Sequence, residues 1–146
     1  MSQQDTVTTP PGAAMNPPAL STIALSLEHG VAEVRLNRPD KSNAMNDAMW
    51  REIRDAFAWV DATPAARVTI LSGAGRNFCA GIDLALLAGI PPRIANADRA
   101  RSSESLRRLI LDLQDCLSSI ERCRKPVLAA IQGACIGGAL DLVTSC

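Results

Sequence analysis

The sequence predicts an α/β fold built from crossover units, and three observations carry that expectation. Residues 22–27 and 31–36 alternate apolar and polar side chains on either side of Glu28-His29-Gly30, the pattern of a β-hairpin. Two longer segments repeat apolar residues every three to four positions, the period of amphipathic helices. Short apolar runs at 67–71 and 126–132 follow them, so strands and helices alternate along the chain.

Residues 1–20 are rich in Pro, Thr, Ala and Gln, with Pro10-Pro11 and Pro17-Pro18, and read as a disordered tail ahead of a domain at 21–146. No Lys or Arg precedes Arg35, so neither a basic transit peptide nor a signal peptide is expected, and the expected compartment is the cytoplasm.

The hairpin's inward set is Ile23, Leu25 and Leu27, then Val34 and Leu36. A polar loop follows, in which Ser42 or Asn46 can cap the next helix. That helix runs to about Asp61 with Met49, Ile53, Phe57 and Val60 on one face. The β-branched run 67–71 reads as a strand ended by Ser72-Gly73-Ala74-Gly75. Asp83 is placed to cap a short helix, with irregular chain through Pro91-Pro92. From about Ala97 a long helix presents Leu106, Leu109, Ile110, Leu113, Leu117 and Ile120. It stops by Lys125-Pro126, since the residue before proline resists α conformation. A strand over 126–132 and a last helix end the chain. That helix has no C-cap, glycine stop or polar tail, so the sequence reads as a fragment.

Composition removes several classes. Fifteen basic and fifteen acidic residues, with no long block of one sign, favour neither nucleic acid nor an anionic membrane as partner. Tyr is absent and aromatics are scarce, which argues against base-stacking platforms. No apolar run approaches membrane-spanning length. The five cysteines form no CxxC pair, and His29 is the single histidine, so zinc-ligand spacing is missing. Reduced, buried thiols and a solvated turn histidine are the expectation.

Chemistry concentrates in Gly133-Ala134-Cys135-Ile136-Gly137-Gly138-Ala139-Leu140-Asp141. A strand passing through a glycine turn into a helix aims main-chain N–H groups at one point, where negative charge is stabilised. Asp141 follows Gly138 by one helical turn and should share its face. An anion-binding donor beside a proton-transfer group suits enolate chemistry. The spacing is neither the G-x-G-x-x-G of dinucleotide folds nor a phosphate-binding loop ending in Gly-Lys-Ser/Thr. It does fit G-x-C-x-G, the thiol form of the α/β-hydrolase nucleophile elbow with Cys135 as nucleophile, but no histidine follows Cys135.

Three stretches in order, Asn37-Arg38-Pro39-Asp40-Lys41-Ser42-Asn43-Ala44-Met45, Asn77-Phe78-Cys79-Ala80-Gly81-Ile82-Asp83-Leu84 and Gly133 through Asp141, resemble the enoyl-CoA hydratase/isomerase (crotonase) family. The resemblance implies a crotonase-like fold of repeated β-β-α units, covering roughly its first half and truncated before the C-terminal half. It implies an acyl-CoA thioester as substrate, no metal and no cofactor beyond the CoA of that substrate, and a homo-oligomer, trimer or hexamer. Motif matched to motif, the two N–H donors of an oxyanion hole fall on Ile82 and Gly138, and the acid/base position on Asp141. Losing one such donor typically costs on the order of 3–4 kcal/mol in barrier. Arg38, Lys41, Ala44, Cys79, Ala80, Gly81, Asp83 and Leu84 fall in the substrate-binding region. There Arg38 and Lys41 could meet CoA phosphates, whereas Asp83 is better suited to capping and Cys79 to packing.

Simple hydratases of that family carry Glu where Asp141 stands. With Ala80-Gly81-Ile82-Asp83-Leu84 upstream, this sequence looks most like the dienoyl-CoA isomerase branch of fatty acid degradation. Further carboxylates of that branch lie later in the family sequence, beyond Cys146. The alternatives are an enoyl-CoA hydratase, an inactive truncated remnant that exposes apolar helix faces, and a CoA-binding module without chemistry.

Overall fold

The computed structural model describes residues 16–146, so the expected tail falls outside the described residues except for 16–20. Those five form no regular element, and Leu20 packs against the core.

The order is β1 (Ile23–Glu28), β2 (Val31–Leu36), α1 (Asp47–Ala62), β3 (Val68–Gly73), α2 (Leu84–Ile94), α3 (Arg99–Glu121), β4 (Val127–Ala130) and α4 (Gly138–Thr144). One sheet carries the strands in the order β1-β2-β3-β4, with β1 antiparallel to β2 and the other pairs parallel. The hairpin turn works because His29 and Gly30 both take positive φ, 50° and 85°. Its register pairs Leu25 with Val34 and Ile23 with Leu36, which brings the expected inward set onto one face.

That face meets α1. Asn46 caps the helix by accepting the Met49 N–H at 2.9 Å, so Asn46, not Ser42, is the cap. Ser42 instead closes a 3₁₀ turn at Pro39–Lys41 in a left-handed conformation. Met49, Ile53, Phe57 and Val60 are all buried, with Trp50, Ala56 and Trp59 beside them. Glu52 ties the start of the sheet to α1, accepting the N–H and hydroxyl groups of Ser21 and Thr22 at 2.6–2.9 Å.

Four elements depart from the sequence expectations. The segment expected to be irregular through Pro91-Pro92 is the 11-residue helix α2. Each proline removes an N–H and normally disfavours a helix interior, but Leu87 and Ala88, whose carbonyls lose a partner, are exposed and can be hydrated. The Asp83 cap and an Arg93–Asp47 ion pair at 3.0 Å hold the two ends of α2. In α3, Ile110 is 46% exposed rather than buried. The 23-residue α3 outruns the 16-residue α1 by about 10 Å. Burial is therefore confined to Cys116 and Ile120, near the ion pair of Arg54 with Asp112. Finally, β3 continues through Ser72-Gly73, paired with Arg35 and Leu36, while β4 stops at Ala130 and lies at the sheet edge.

Among the described residues no helix is long and apolar enough to cross a membrane.

Candidate active site

The parallel strands β2, β3 and β4 all end on the same side of the sheet, so the three loops that follow them must meet there. Each loop ends in one bridging residue just before a helix: Met45 before α1, Ile82 before α2, Cys135 before α4. Met45 pairs with Ile82, and Cys79 pairs with Cys135, both parallel. The Cys79 N–H donates to Ala134 O at 3.0 Å and the Ile136 N–H to Cys79 O at 3.2 Å. The Met45 N–H donates to Gly81 O at 2.7 Å and the Asp83 N–H to Met45 O at 3.0 Å.

Side chains the sequence reading did not assign lock this layer. Asn43 is fully buried at φ 55°, a conformation Asn tolerates better than most residues. Its Nδ2 donates to Ala74 O, Asn77 O and Phe78 O at 2.8–3.0 Å, and its Oδ1 accepts the Arg38 N–H at 2.8 Å. Asn77 accepts the Ala134 N–H at 3.1 Å and donates to the Ser42 hydroxyl at 3.1 Å. Gln132 donates to Gly73 O and Gly75 O. Amides inside these loops were the available signal, because packed loops must satisfy their carbonyls internally.

Main-chain direction now decides what points outward. Successive peptide groups of an extended segment face opposite ways. Since Gly81 O and Asp83 N–H both turn to Met45, the Ile82 N–H turns away from it. Among the described residues neither the Ile82 N–H nor the Gly138 N–H has an acceptor. The loops that carry them touch: a Cβ on Gly81 would stand 2.6 Å from Ile136 O and 3.2 Å from Gly138 N. With φ at 88° as well, Gly81 admits no other side chain. A Cβ on Gly138 would lie 2.9 Å from Met45 Cε, 3.9 Å from Ile82 N and 4.0 Å from Asp141 Oδ2, so the Ile82 nitrogen and this carboxylate both lie close to Gly138. Asp141 is exposed on the first turn of α4.

A cleft of about 520 Å³ opens beside Ile82, lined by Lys41, Ser42, Ala44, Ala80, Asp83 and Leu84. Of the residues expected to bind substrate, four lie elsewhere or are already engaged. Cys79 and Gly81 are buried beneath the loop. The Cys79 thiol donates to Asn43 O at 3.1 Å, and burial pushes its pKa up, which suits packing rather than reaction. Arg38 donates to Ala44 O and pairs with Asp83 at 2.8 Å, fastening the first loop to α2. That guanidinium and the Ala85 N–H hold the Asp83 carboxyl below its usual range. Among the described residues no histidine lies near Cys135 to serve the thiol-elbow alternative: His29 turns the hairpin where β2 begins, the end of the sheet opposite Cys135.

Comparison with known proteins bears on the family and the fold. The profile of the enoyl-CoA hydratase/isomerase family matches residues 26–146. The peroxisomal Delta(3,5)-Delta(2,4)-dienoyl-CoA isomerase of Arabidopsis thaliana is 45% identical over 128 residues, 87% of this chain and 46% of that protein. The mitochondrial Delta(3,5)-Delta(2,4)-dienoyl-CoA isomerase of Homo sapiens is 46% identical over 121 residues, 83% of this chain and 37% of that protein. The crystal structure of an enoyl-CoA hydratase/isomerase from Xanthobacter autotrophicus Py2 superposes with a TM-score of 0.75 at 33% identity, covering 88% of this chain and 45% of that one. The chain thus spans less than half the length of these relatives. With the fold, the order of the motifs and the matched span all in agreement, the chain belongs to the enoyl-CoA hydratase/isomerase family.

Proposed function

We propose that this chain carries the carbonyl-binding part of an acyl-CoA isomerase that converts a 3,5-dienoyl-CoA to its 2,4 isomer. The observation that carries the reading is the pair of acceptor-free N–H groups on touching loops, Ile82 and Gly138, beside the Asp141 carboxylate. In the reaction a proton leaves C2, next to the thioester carbonyl. The electrons spread over the carbonyl oxygen and the diene, and a proton is added at C6, leaving double bonds at C2 and C4. Ile82 and Gly138 would hold the charge that develops on oxygen, and two preorganised donors stabilise that charge at little reorganisation cost. Asp141 would move or steady a proton along the dienoyl chain. The cleft at Lys41, Ala44, Ala80 and Leu84 would take the rest of the thioester. No metal or resident cofactor is part of the proposal.

The two dienoyl-CoA isomerases at 45% and 46% identity support this branch over simple hydration. A homo-oligomer, trimer or hexamer, is proposed on the family resemblance. The cytoplasm is proposed on the sequence argument, although the named relatives are peroxisomal and mitochondrial proteins.

Incubation with a 3,5-dienoyl-CoA under ultraviolet monitoring tests the reading. Growth of the 2,4-dienoyl-CoA band, lost in Asp141→Asn without loss of CoA affinity, supports it. Hydration of a 2-enoyl-CoA with no dienoyl shift would move the chain to the hydratase reading.

A further inference from the structure

Met45 reaches both segments that carry the proposed donors. Its main chain takes Gly81 O and the Asp83 N–H, which fixes the direction of the Ile82 N–H between them. Its side chain is fully buried and ends against the other arm, where Cε stands 2.9 Å from the position of a Cβ on Gly138. Among the described residues, no other side chain belongs to a residue paired to the Ile82 segment and packed on Gly138 at the same time.

Two N–H groups serve one oxygen only when their separation is held, and a displacement of about 1 Å can cost on the order of a hundredfold in rate. The Ile82 arm is held by bridging bonds to Met45. The Gly138 arm lacks a side chain of its own and starts a helix of seven residues. We propose that Met45 is the positioning residue of the oxyanion site, with its main chain aiming Ile82 and its terminal methyl setting how closely Gly138 approaches. This rests on the two-donor reading and adds to it the part that sets the spacing. An unbranched thioether suits the task because it reaches across the gap and adapts to a bare glycine surface.

The test uses the 146-residue chain and octanoyl-CoA labelled with ¹³C at the thioester carbonyl, read by infrared difference spectroscopy. Wild-type protein should move the carbonyl band to lower frequency, because two donors draw charge onto the oxygen. Met45→Leu keeps the main-chain bonds and a similar apolar volume but loses the Cε contact. It should lose much of the shift and bind octanoyl-CoA a few-fold to about tenfold more weakly, the worth of one hydrogen bond. Its melting temperature and its affinity for free CoA, which has no thioester carbonyl, should stay unchanged. Met45→Ala should lose more of the shift. A full wild-type shift that persists in both Met45 variants overturns the positioning role and leaves the two-donor site standing. A wild-type chain that binds octanoyl-CoA without any shift overturns the two-donor site and the role of Met45 together.

Discussion

At the scale of residues, the site is built by amides and glycines more than by charges. Asn43 serves four main-chain groups from a buried position, and Asn43→Ala would leave several without partners. A buried polar group left unsatisfied costs about 1–3 kcal/mol, so urea unfolding of Asn43→Ala should show at least that loss. Asn43→Asp should be no milder, since a carboxylate donates nothing to Ala74, Asn77 and Phe78. Gly81→Ala should remove thioester binding, because its methyl meets Ile136 O at 2.6 Å and neither backbone can yield cheaply. Cys79 should resist iodoacetamide in the folded protein, for burial shields its thiol and raises its pKa. Part of this was legible. The spacing of Gly138 and Asp141 on one helical turn and the capping role of Asp83 follow from local geometry alone. The engagement of Arg38 was not legible, because its partner lies 45 residues away and only the fold brings the two together.

At the scale of elements, the chain makes three similar passages: a parallel strand, a loop, a bridging residue and a helix. Periodicity reveals the strands and helices of these passages. It cannot reveal the bridges, since one paired residue has no period. Pro91-Pro92 hides helix α2, because local propensity argues against a helix there while exposure removes most of the penalty. Its cap gives a pH dependence whose sign is fixed. The Asp83 pKa is lowered in the fold, first by the Arg38 hydrogen bond, so the stabilisation is complete at neutral pH. It is lost as pH falls through the folded value, below the ordinary value of about 4. Glu52 behaves alike: burial alone would raise its pKa, but the bonds from Ser21 and Thr22 lower it. The melting temperature should therefore drop steeply below about pH 4, and Asp83→Asn should make that drop shallower.

At the scale of the whole molecule, one side of the structure is finished and another is open. The face between β1, β2 and α1 is packed with fully buried residues. Strand β4 lies at the sheet edge, and Leu128, Ile131, Ile136 and Leu140 are each more than half exposed around it. An unpaired strand edge beside apolar surface invites association. The 146-residue chain should therefore run larger than a monomer in light scattering, and Leu128→Lys with Ile131→Lys should reduce that. The alternation of elements announced the α/β class, but which edge stays open depends on register and order, which composition does not encode. The central claim is that Ile82 and Gly138 offer their N–H groups to one thioester oxygen. It is tested most directly by titrating ¹⁵N-labelled protein with octanoyl-CoA and following backbone amides by NMR. Downfield proton shifts at Ile82 and Gly138, larger than at other amides and reduced when free CoA replaces the thioester, are the expected result. Unmoved Ile82 and Gly138 signals, with the largest changes elsewhere on the chain, would contradict it.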